Sequence, residues 1–315
     1  MTDGNQDTTA MKELTSSIKL NPAVRQALET NQPLVSLEST VITHGLPYPQ
    51  NLALARDMEA EVTSNRAVPA TIAVLKGVVH VGLTSDELDM LAMGEEMVKV
   101  STRDFAPAIL HKRSGGTTVA GTLLIARAVG LQVFATGGIG GVHRGSQIDV
   151  STDLTMLGQT PLVVVCAGAK AILDLPATLE KLETLGVPVV GYQTDEFPAF
   201  YSRTSGLPVS TRADSPEEVA AIARLHWKIG MNSAVLVVQP PPEDAAMQGQ
   251  DVEDAIREAL EESERKNIRG QAVTPFLLKQ VSELTHGSSL QANLALLLNN
   301  ARLAAQVAKF LTGAS

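Results

Sequence analysis

A lysine at the junction of an apolar run and a turn of small residues has the clearest chemical potential in this chain. Lys170 ends the segment Cys166–Lys170, which directly follows the apolar residues Pro161–Val165. A short β-branched run that meets small residues indicates a buried strand entering a tight turn. Burial disfavours the charge of a lysine, and a neutral lysine is a nucleophile towards carbonyl carbons. The position suits a Schiff-base lysine, although the local pattern by itself favours a side chain whose stem packs while its ammonium reaches water.

A glutamate occupies a similar position at Glu38, directly after the apolar segment Pro33–Leu37. Catalytic groups favour the carboxyl ends of strands in α/β sheets, because the loops there build the crevice. An apolar environment would raise the pKa of the Glu38 carboxyl and suit it to general acid catalysis. A helix cap or a surface carboxylate is an equally good interpretation of this residue.

Residues 135–145 form a loop that contains five glycines. Such a loop lets backbone N–H groups approach a ligand closely, as in anion-binding nests. Thr136, His143 and Arg144 would add further donors. The spacing is not that of a dinucleotide-binding loop, because the third glycine position holds His143, and no Gly-Lys-Ser/Thr follows as in a Walker loop. The loop therefore favours a ligand that is bound in neither of these two ways.

Two carboxylates flank hydroxyl residues just after this loop, in the segment Asp149-Val150-Ser151-Thr152-Asp153. This donor set suits a hard divalent cation that keeps most of its water ligands. The alternative is a helix that Ser151 caps and that has Asp153 in its first turn. The two interpretations are compatible with each other.

A phosphate site is indicated by Lys99, which ends a predicted strand, and by the hydroxyls of residues 117–118 ahead of a predicted helix. A cation and a helix N-terminus together suit a phosphate group. For the neighbouring Arg103 and Asp104, an exposed ion pair is the favoured interpretation.

The apolar C-terminal segment carries three asparagines, Asn293, Asn299 and Asn300. An amide on a buried helix face needs a hydrogen-bond partner. A base such as uracil would supply one, and a helix–helix contact would do so equally well.

The elements that must position these residues alternate between strands and helices. Strands are predicted at residues 33–37, 70–74, 78–83, 97–100, 133–135, 162–166, 187–192 and 234–238. Helices are predicted at residues 21–30, 51–65, 118–129 and 178–185, after Thr84, after Ser215, and from Glu243 onwards. This alternation predicts one three-layer α/β/α domain, residues 21–315, around a mainly parallel or mixed central sheet. Residues 1–20 are predicted to be a flexible leader.

The composition limits the classes of function. The 315 residues are 44% hydrophobic but only 3% aromatic, so Ala, Val, Leu and Ile must build the core. The net charge is −9 and no basic tract stands out, which argues against nucleic-acid polymers and membrane surfaces but allows a small anionic ligand. A single cysteine excludes an intrachain disulfide and fits a reducing compartment, and no signal-peptide or membrane-spanning segment is evident. We therefore expect a cytoplasmic protein.

The strings around these residues resemble the pseudouridine-5′-phosphate glycosidase family, which is related to indigoidine synthase A. The resemblance extends from about Asn21 to Leu311 and reverses the local preference against a catalytic Lys170. It rests on residues 37–40 with 44–45, and on residues 67–73, 134–145, 165–176 and 274–278. Members of the family reversibly cleave the C–C glycosidic bond of pseudouridine 5′-phosphate, giving uracil and ribose 5-phosphate. The leaving atom is a carbon without a lone pair, so it cannot be protonated as the leaving oxygen is in ordinary glycosidases, which use a carboxylate pair. Instead, an iminium on the ring-opened ribose provides an electron sink.

The resemblance also implies the roles of individual residues. Lys170 is the implied Schiff-base lysine, Glu38 the proton donor to the uracil carbon, and Asp149 the Mn²⁺ ligand. Asp153 is implied as a second acid/base group at the ring oxygen. The implied substrate contacts are Lys99, Val119, Thr136, His143, Ser151, Thr152, Asp153 and Asn293, of which Asn293 recognises uracil. The family forms homotrimers.

The chain departs from the family pattern in one loop. The segment Gly145–Asp149 is shorter than in family members, and Gln147 stands where they carry a threonine. Two other functions are compatible with the residues: a different Schiff-base sugar-phosphate lyase of the aldolase kind, and a non-catalytic nucleotide-binding accessory protein. The second would be indicated by the loss of Glu38 or Lys170, and both are present.

Overall fold

A mixed β-sheet forms the centre of the computed structural model, which describes residues 18–145, 149–270 and 273–313. The strands are β1 (Ile18–Leu20), β2 (Leu34–Leu37), β3 (Val68–Leu75), β4 (Val78–Val81), β5 (Val98–Val100), β6 (Gly115–Thr117), β7 (Val133–Ala135), β8 (Val142–His143), β9 (Val163–Cys166), β10 (Leu173–Asp174), β11 (Val189–Tyr192), β12 (Thr211–Ala213) and β13 (Val235–Val238). The main path of the sheet is β1-β4-β3-β2-β7-β9-β13-β11-β12.

The larger part of this sheet is parallel. Every neighbouring pair from β3 to β12 along the path runs in the same direction. Strands β4 and β6 pair antiparallel with β3, while β8 and β10 form a separate two-stranded ribbon. All four residues of β9 are fully buried, as expected for a parallel strand that is covered on both faces.

The helices complete the layers. They are α1 (Pro22–Glu29), α2 (Gln50–Ser64), α3 (Ser85–Met93), α4 (Phe105–Leu110), α5 (Val119–Val129), α6 (Thr152–Leu157), α7 (Leu175–Thr184), α8 (Pro216–Lys228), α9 (Gly249–Arg265), α10 (Val273–Leu284) and α11 (Ser288–Thr312). Within the described ranges, none of them combines the length and the hydropathy that a bilayer span requires.

Helices cover both sides of the sheet. The long helix α11 contacts β2, β7 and β9 and packs against α2 and α8. Helix α5 packs against α6 and contacts β2 and β6. The predicted three-layer α/β/α class around a mixed, mainly parallel sheet is therefore confirmed.

The predicted boundary of the N-terminal leader is wrong for its last three residues. Ile18–Leu20 form β1, an edge strand that pairs in parallel with β4, with Ile18 opposite Val79. Three residues carry too little pattern to indicate a strand, and β1 gains its hydrogen bonds from a partner about 60 residues away. Residues 1–17 lie outside the described part of the chain.

Three neighbouring strands place candidate catalytic residues at one edge of the sheet. Strands β2, β7 and β9 are adjacent and parallel, and they lead into Glu38, Thr136 and the turn that ends at Lys170. The carboxyl ends of parallel strands share one edge, so these three residues meet there. A single π-helical turn, Val41–Gly45, follows β2 and was not predicted.

Candidate active site

A cavity of about 910 Å³ opens at this edge of the sheet. Its walls come from the loops after β2, β7 and β9, from the N-termini of α5 and α6, and from α10 and α11. The predicted site residues that line it are Glu38, Lys99, Val119, His143, Asp149, Ser151, Thr152, Asp153, Lys170 and Asn293. Thr136 does not line the cavity, because it is fully buried behind Glu38.

Lys170 reaches this cavity from the turn after β9. Gly168 has a φ of +89°, and a Cβ there would lie 2.6 Å from the carbonyl oxygen of Pro198, so the turn requires glycine. The Lys170 amine donates a hydrogen bond to the carbonyl oxygen of Gly138 at 2.9 Å. The half-buried amine is thus held at the cavity wall by the glycine-rich loop.

Glu38 is a buried carboxyl rather than a helix cap or a surface group. Its side chain is 8% exposed, and the Thr136 hydroxyl donates a hydrogen bond to its Oε1 atom. Burial raises the pKa of Glu38, and this effect outweighs the opposing influence of the Lys170 charge and of the Thr136 hydrogen bond. Glu38 therefore keeps its proton to a higher pH than an ordinary glutamate does, which suits a general acid.

Asp153 connects the glycine-rich loop to helix α5. It is 6% exposed, its Oδ1 accepts from the backbone N–H of Ala120 at 2.9 Å, and its Oδ2 accepts from that of Gly140 at 2.8 Å. Ser151 caps α6 by accepting from the backbone N–H of Asp153, so the helix-cap interpretation is confirmed while both residues also line the cavity. Each carboxylate oxygen of Asp153 can still accept a hydrogen bond from a ligand.

Lys99 and His44 both line the cavity. Burial lowers the pKa of Lys99, and the positive charge of Lys170 lowers it further. Burial also lowers the pKa of His44, with a second contribution from Lys99. A smaller cavity of about 530 Å³ adjoins these residues and extends to Arg113. His44 lies in the unpredicted π-helical turn. The one sequence signal for His44 as a site residue is its position in the matching string 44–45.

Two aromatic residues form a wall of the cavity that the sequence did not indicate. The rings of Phe200 and Tyr201 lie 4.7 Å apart, edge to face, and both line the cavity. Phe200 has a φ of +64°, which is unusual for a bulky residue. A Cβ on Gly138 would lie 2.5 Å from the Phe200 ring, so glycine at this position lets the ring approach the loop that holds Lys170.

Arg144 does not serve the cavity as a ligand donor, so that expectation was wrong. Its guanidinium pairs with the carboxylate of Glu253 and donates to the carbonyl oxygens of Ala171 and Leu173. The preceding residue, His143, does line the cavity. Arg144 therefore ties the glycine-rich loop to the segment after Lys170 and to helix α9. The expected ion pair of Arg103 with Asp104 is present at 3.8 Å.

The asparagines of α11 face different surroundings. Asn293 lines the cavity beside Leu290 and Leu297. Asn300 is fully buried and donates from Nδ2 to the backbone carbonyl oxygen of Thr136 at 2.9 Å. Asn293 therefore lies at the cavity, whereas Asn300 contacts the sheet.

Asp149 is the residue that the resemblance implies as the Mn²⁺ ligand. It is exposed, it lines the cavity, and its backbone carbonyl oxygen accepts from the N–H of His143 at 2.9 Å. Over residues 18–145, 149–270 and 273–313, no group of three His, Cys, Asp or Glu side chains is arranged to hold a metal. This donor set fits a cation that keeps most of its waters, and it does not fit a closed protein cage. Gln147 and the rest of the short loop lie outside the described residues.

Known proteins are similar to this chain along almost its whole length. Residues 23–310 match the family model described as indigoidine synthase A like protein. A pseudouridine-5′-phosphate glycosidase from Paracoccus denitrificans is 52% identical over 295 residues, which cover 92% of this chain and 97% of the relative. The enzyme of that name from Herpetosiphon aurantiacus is 54% identical over 291 residues, covering 92% and 96%.

Two solved structures share the fold along almost the whole chain. The prealnumycin C-glycosynthase AlnA, in complex with ribulose 5-phosphate, superposes with a TM-score of 0.87 at 39% identity, covering 94% of this chain and 97% of AlnA. An indigoidine synthase A-like protein from Thermotoga maritima has a TM-score of 0.86 at 37% identity, covering 94% and 96%. The chain therefore belongs to the indigoidine synthase A-like family, and it is an enzyme, as the resemblance of its motifs predicts.

Proposed function

We propose that this enzyme reversibly cleaves the C–C glycosidic bond of pseudouridine 5′-phosphate, giving uracil and ribose 5-phosphate. The observation that carries the proposal is the presence of the Lys170 amine, the buried Glu38 carboxyl and the Asp153 carboxylate around one cavity. The names of the similar glycosidases support the substrate. The ribulose 5-phosphate complex of AlnA supports a pentose 5-phosphate as the class of sugar that this cavity accepts.

The first step opens the ribose ring. The Lys170 nitrogen forms a bond to C1′ with its lone pair while the bond from C1′ to the ring oxygen breaks. The Asp153 carboxylate takes the proton that the nitrogen loses on forming this bond and passes it to the ring oxygen, which leaves as a hydroxyl. The lysine nitrogen then carries the open-chain sugar with uracil still attached to C1′.

The second step breaks the C–C bond. Glu38 donates a proton to the uracil carbon, the electron pair of the C–C bond returns to the base, and the Lys170 nitrogen forms an iminium with C1′. Water then adds to the iminium and releases both the lysine and ribose 5-phosphate. The raised pKa of Glu38 keeps the required proton available to a higher pH than an ordinary glutamate would.

The remaining predicted residues bind and orient the substrate in this proposal. Lys99 and the N-terminus of α5, which begins at Val119, suit the phosphate group. The amide of Asn293 suits the polar edge of uracil. The ribose contacts are assigned to His143, Ser151 and Thr152. Thr136 acts on Glu38 rather than on the substrate, since its hydroxyl already donates to that carboxylate.

Asp149 is the proposed ligand of Mn²⁺. The ion would supply positive charge beside the anionic groups of the substrate when it is bound, in a shell made largely of water. Ser151 and Thr152 lie close in sequence and could contact such waters.

Removal of the metal is expected to lower turnover in a way that depends on Asp149. Chelation should reduce uracil release, and added Mn²⁺ should restore it. The Asp149→Asn variant should need roughly tenfold more Mn²⁺ to reach its half-maximal rate. This factor is comparable to the loss of one supporting group at a metal site. Mn²⁺ binding measured by electron paramagnetic resonance gives a second readout. Asp244→Asn, an exposed acidic residue, is the control. An unchanged rate in metal-free protein would contradict this assignment.

Gly140→Ala is expected to lower kcat/KM by roughly 10²-fold while the protein still folds, because small displacements of catalytic groups have effects of that size. The added Cβ would lie 2.6 Å from the Ser151 Cβ atom and 2.8 Å from the Asp153 Oδ2 atom, so the loop must move and lose its hydrogen bond to Asp153. Gly249→Ala is the matched control, because its nearest contact would be at 3.9 Å. Steady-state kinetics and thermal unfolding separate the two effects, and equal kinetics in both variants would refute the prediction.

Uracil release from pseudouridine 5′-phosphate, followed by chromatography, tests the function directly. Uridine 5′-phosphate, whose base is attached through nitrogen, is the control substrate and should remain intact. Borohydride with ribose 5-phosphate should trap an adduct on Lys170. An adduct without any uracil release would instead favour an aldolase-like lyase, and the absence of both would favour a nucleotide-binding accessory protein.

The resemblance also implies a cytoplasmic homotrimer, and we propose both properties. Light scattering of the purified protein should then give about three times the mass of one chain.

A further inference from the structure

Helix α11 carries one amide that contacts the sheet rather than the cavity. The Asn300 side chain is fully buried, and its Nδ2 donates to the backbone carbonyl oxygen of Thr136 at 2.9 Å. Helix α11 packs across β2, β7 and β9, the strands that lead to the catalytic residues. Asn300 therefore contacts the sheet directly after β7 ends.

Thr136 is held on both sides of its backbone. Its N–H donates to the carbonyl oxygen of Val165 on β9 at 3.0 Å, and its carbonyl oxygen accepts from Asn300. Its hydroxyl then donates to Oε1 of Glu38. A β-branched side chain has few χ1 rotamers once the backbone is fixed, so the two backbone contacts determine where the hydroxyl points.

The Asn300 amide contributes less to folding than its burial suggests. Its Oδ1 atom has no hydrogen-bond partner among the residues that the structure describes. A buried acceptor without a partner is unfavourable, and this offsets the stabilisation from the Nδ2 hydrogen bond. Leucine has a similar size and removes the unpartnered Oδ1 atom, but it also removes the donor to the Thr136 carbonyl oxygen, so we expect a moderate loss of stability in a folded variant.

We propose that Asn300 is a positioning residue for the general acid Glu38. By binding the carbonyl group of Thr136, Asn300 holds the Thr136 hydroxyl against Glu38. This contact orients the carboxyl that donates the proton to the base. The inference rests on the proposed function for the role of Glu38. Its structural part, the dependence of Glu38 on Asn300, can be measured without any turnover.

The protonation of Glu38 reports this connection. The charged groups that act on Glu38 are Lys170, Asp153 and Lys99, and we expect all three to stay in place when Asn300 is changed. The Thr136 hydroxyl favours the ionised form of Glu38 and lowers its pKa. Loss or misdirection of that hydroxyl therefore moves the protonation midpoint of Glu38 upwards.

Infrared titration of the Glu38 carboxyl in the full-length protein without substrate tests the proposal, with Glu38→Gln as the spectral reference. Thr136→Val should raise the midpoint by roughly half a unit to one unit, a three- to tenfold change in the ionisation constant. Asn300→Leu should raise it in the same direction by a smaller amount. Gln306→Leu is the control. It removes an amide from the same helix, but the Nε2 atom of Gln306 donates to Asn65 Oδ1 at 3.5 Å, so the midpoint of Glu38 should remain unchanged.

The double variant shows whether Asn300 acts through Thr136. Thr136→Val combined with Asn300→Leu should shift the midpoint no further than Thr136→Val alone, and Thr136→Ser should restore most of the wild-type value. An unchanged midpoint in folded Asn300→Leu, or additive shifts in the double variant, would overturn the proposal. If Asn300→Leu does not fold, Asn300→Ala carries the same expectation. Absence of uracil release in the wild-type protein would count against the proposed function and leave this infrared result standing.

Discussion

Lys170→Ala is expected to abolish uracil release, with a loss of roughly 10⁴-fold or more, as is typical when a covalent nucleophile is removed. Cys166 is not placed to replace it, because this residue is fully buried and burial raises the pKa of its thiol to about 12. The fold should survive, because the half-buried lysine makes one hydrogen bond from its amine, to the carbonyl oxygen of Gly138.

Three measurements check this result. Chromatography quantifies uracil, thermal unfolding monitors the fold, and mass spectrometry after borohydride reduction with ribose 5-phosphate detects the adduct. Lys181→Ala, which changes an exposed lysine on α7, should keep both the rate and the adduct. Wild-type activity in Lys170→Ala would exclude the Schiff-base route.

Glu38→Gln is expected to slow cleavage by about 10²- to 10⁴-fold, the usual contribution of a general acid. The amide has the shape of the carboxyl and can still accept from the Thr136 hydroxyl, but it has no acidic proton to give to carbon. Substrate affinity should therefore change little. A large loss of binding in this variant would show that Glu38 recognises the substrate instead.

The rates of cleavage and of synthesis should depend on pH in opposite ways. Cleavage needs protonated Glu38, so its rate falls as the pH rises through the pKa of Glu38, which burial raises above the ordinary value of 4.5. Synthesis from uracil and ribose 5-phosphate needs the ionised form, so its rate falls as the pH drops through the same pKa. Both limbs should disappear in Glu38→Gln. Rate profiles measured in both directions check this, and a limb that persists in the variant belongs to another group.

The same variant should be at least as stable as the wild type at pH 8. A buried glutamate with a raised pKa binds its proton more tightly in the folded state, so its favourable contribution is lost as the pH rises through that pKa. Glutamine has no such charge to bury. Unfolding temperatures at pH 5 and pH 8 measure the difference.

Elements with local signals can be predicted from the amino-acid sequence. Thr84 forms the capping box of α3, Ser215 caps α8, and α5 ends before Gly130 with a φ of +83°. These features depend on residues within a turn of one another, so the chain needs no distant partner to specify them. The long matching strings likewise indicated Glu38, His143 and Lys170, which line the cavity.

Only the tertiary structure decided which residues act on one another. The Thr136 hydroxyl meets a carboxylate 98 positions earlier, and Asn300 reaches the backbone of Thr136 from 164 positions later. Arg144 does not serve the cavity, because the carboxylate of Glu253, 109 positions away, binds its guanidinium. Such pairs follow from the order of β2, β7 and β9 in the sheet and from the packing of the helices on it. Hydrogen bonding between distant residues depends on that order, and no local pattern records it.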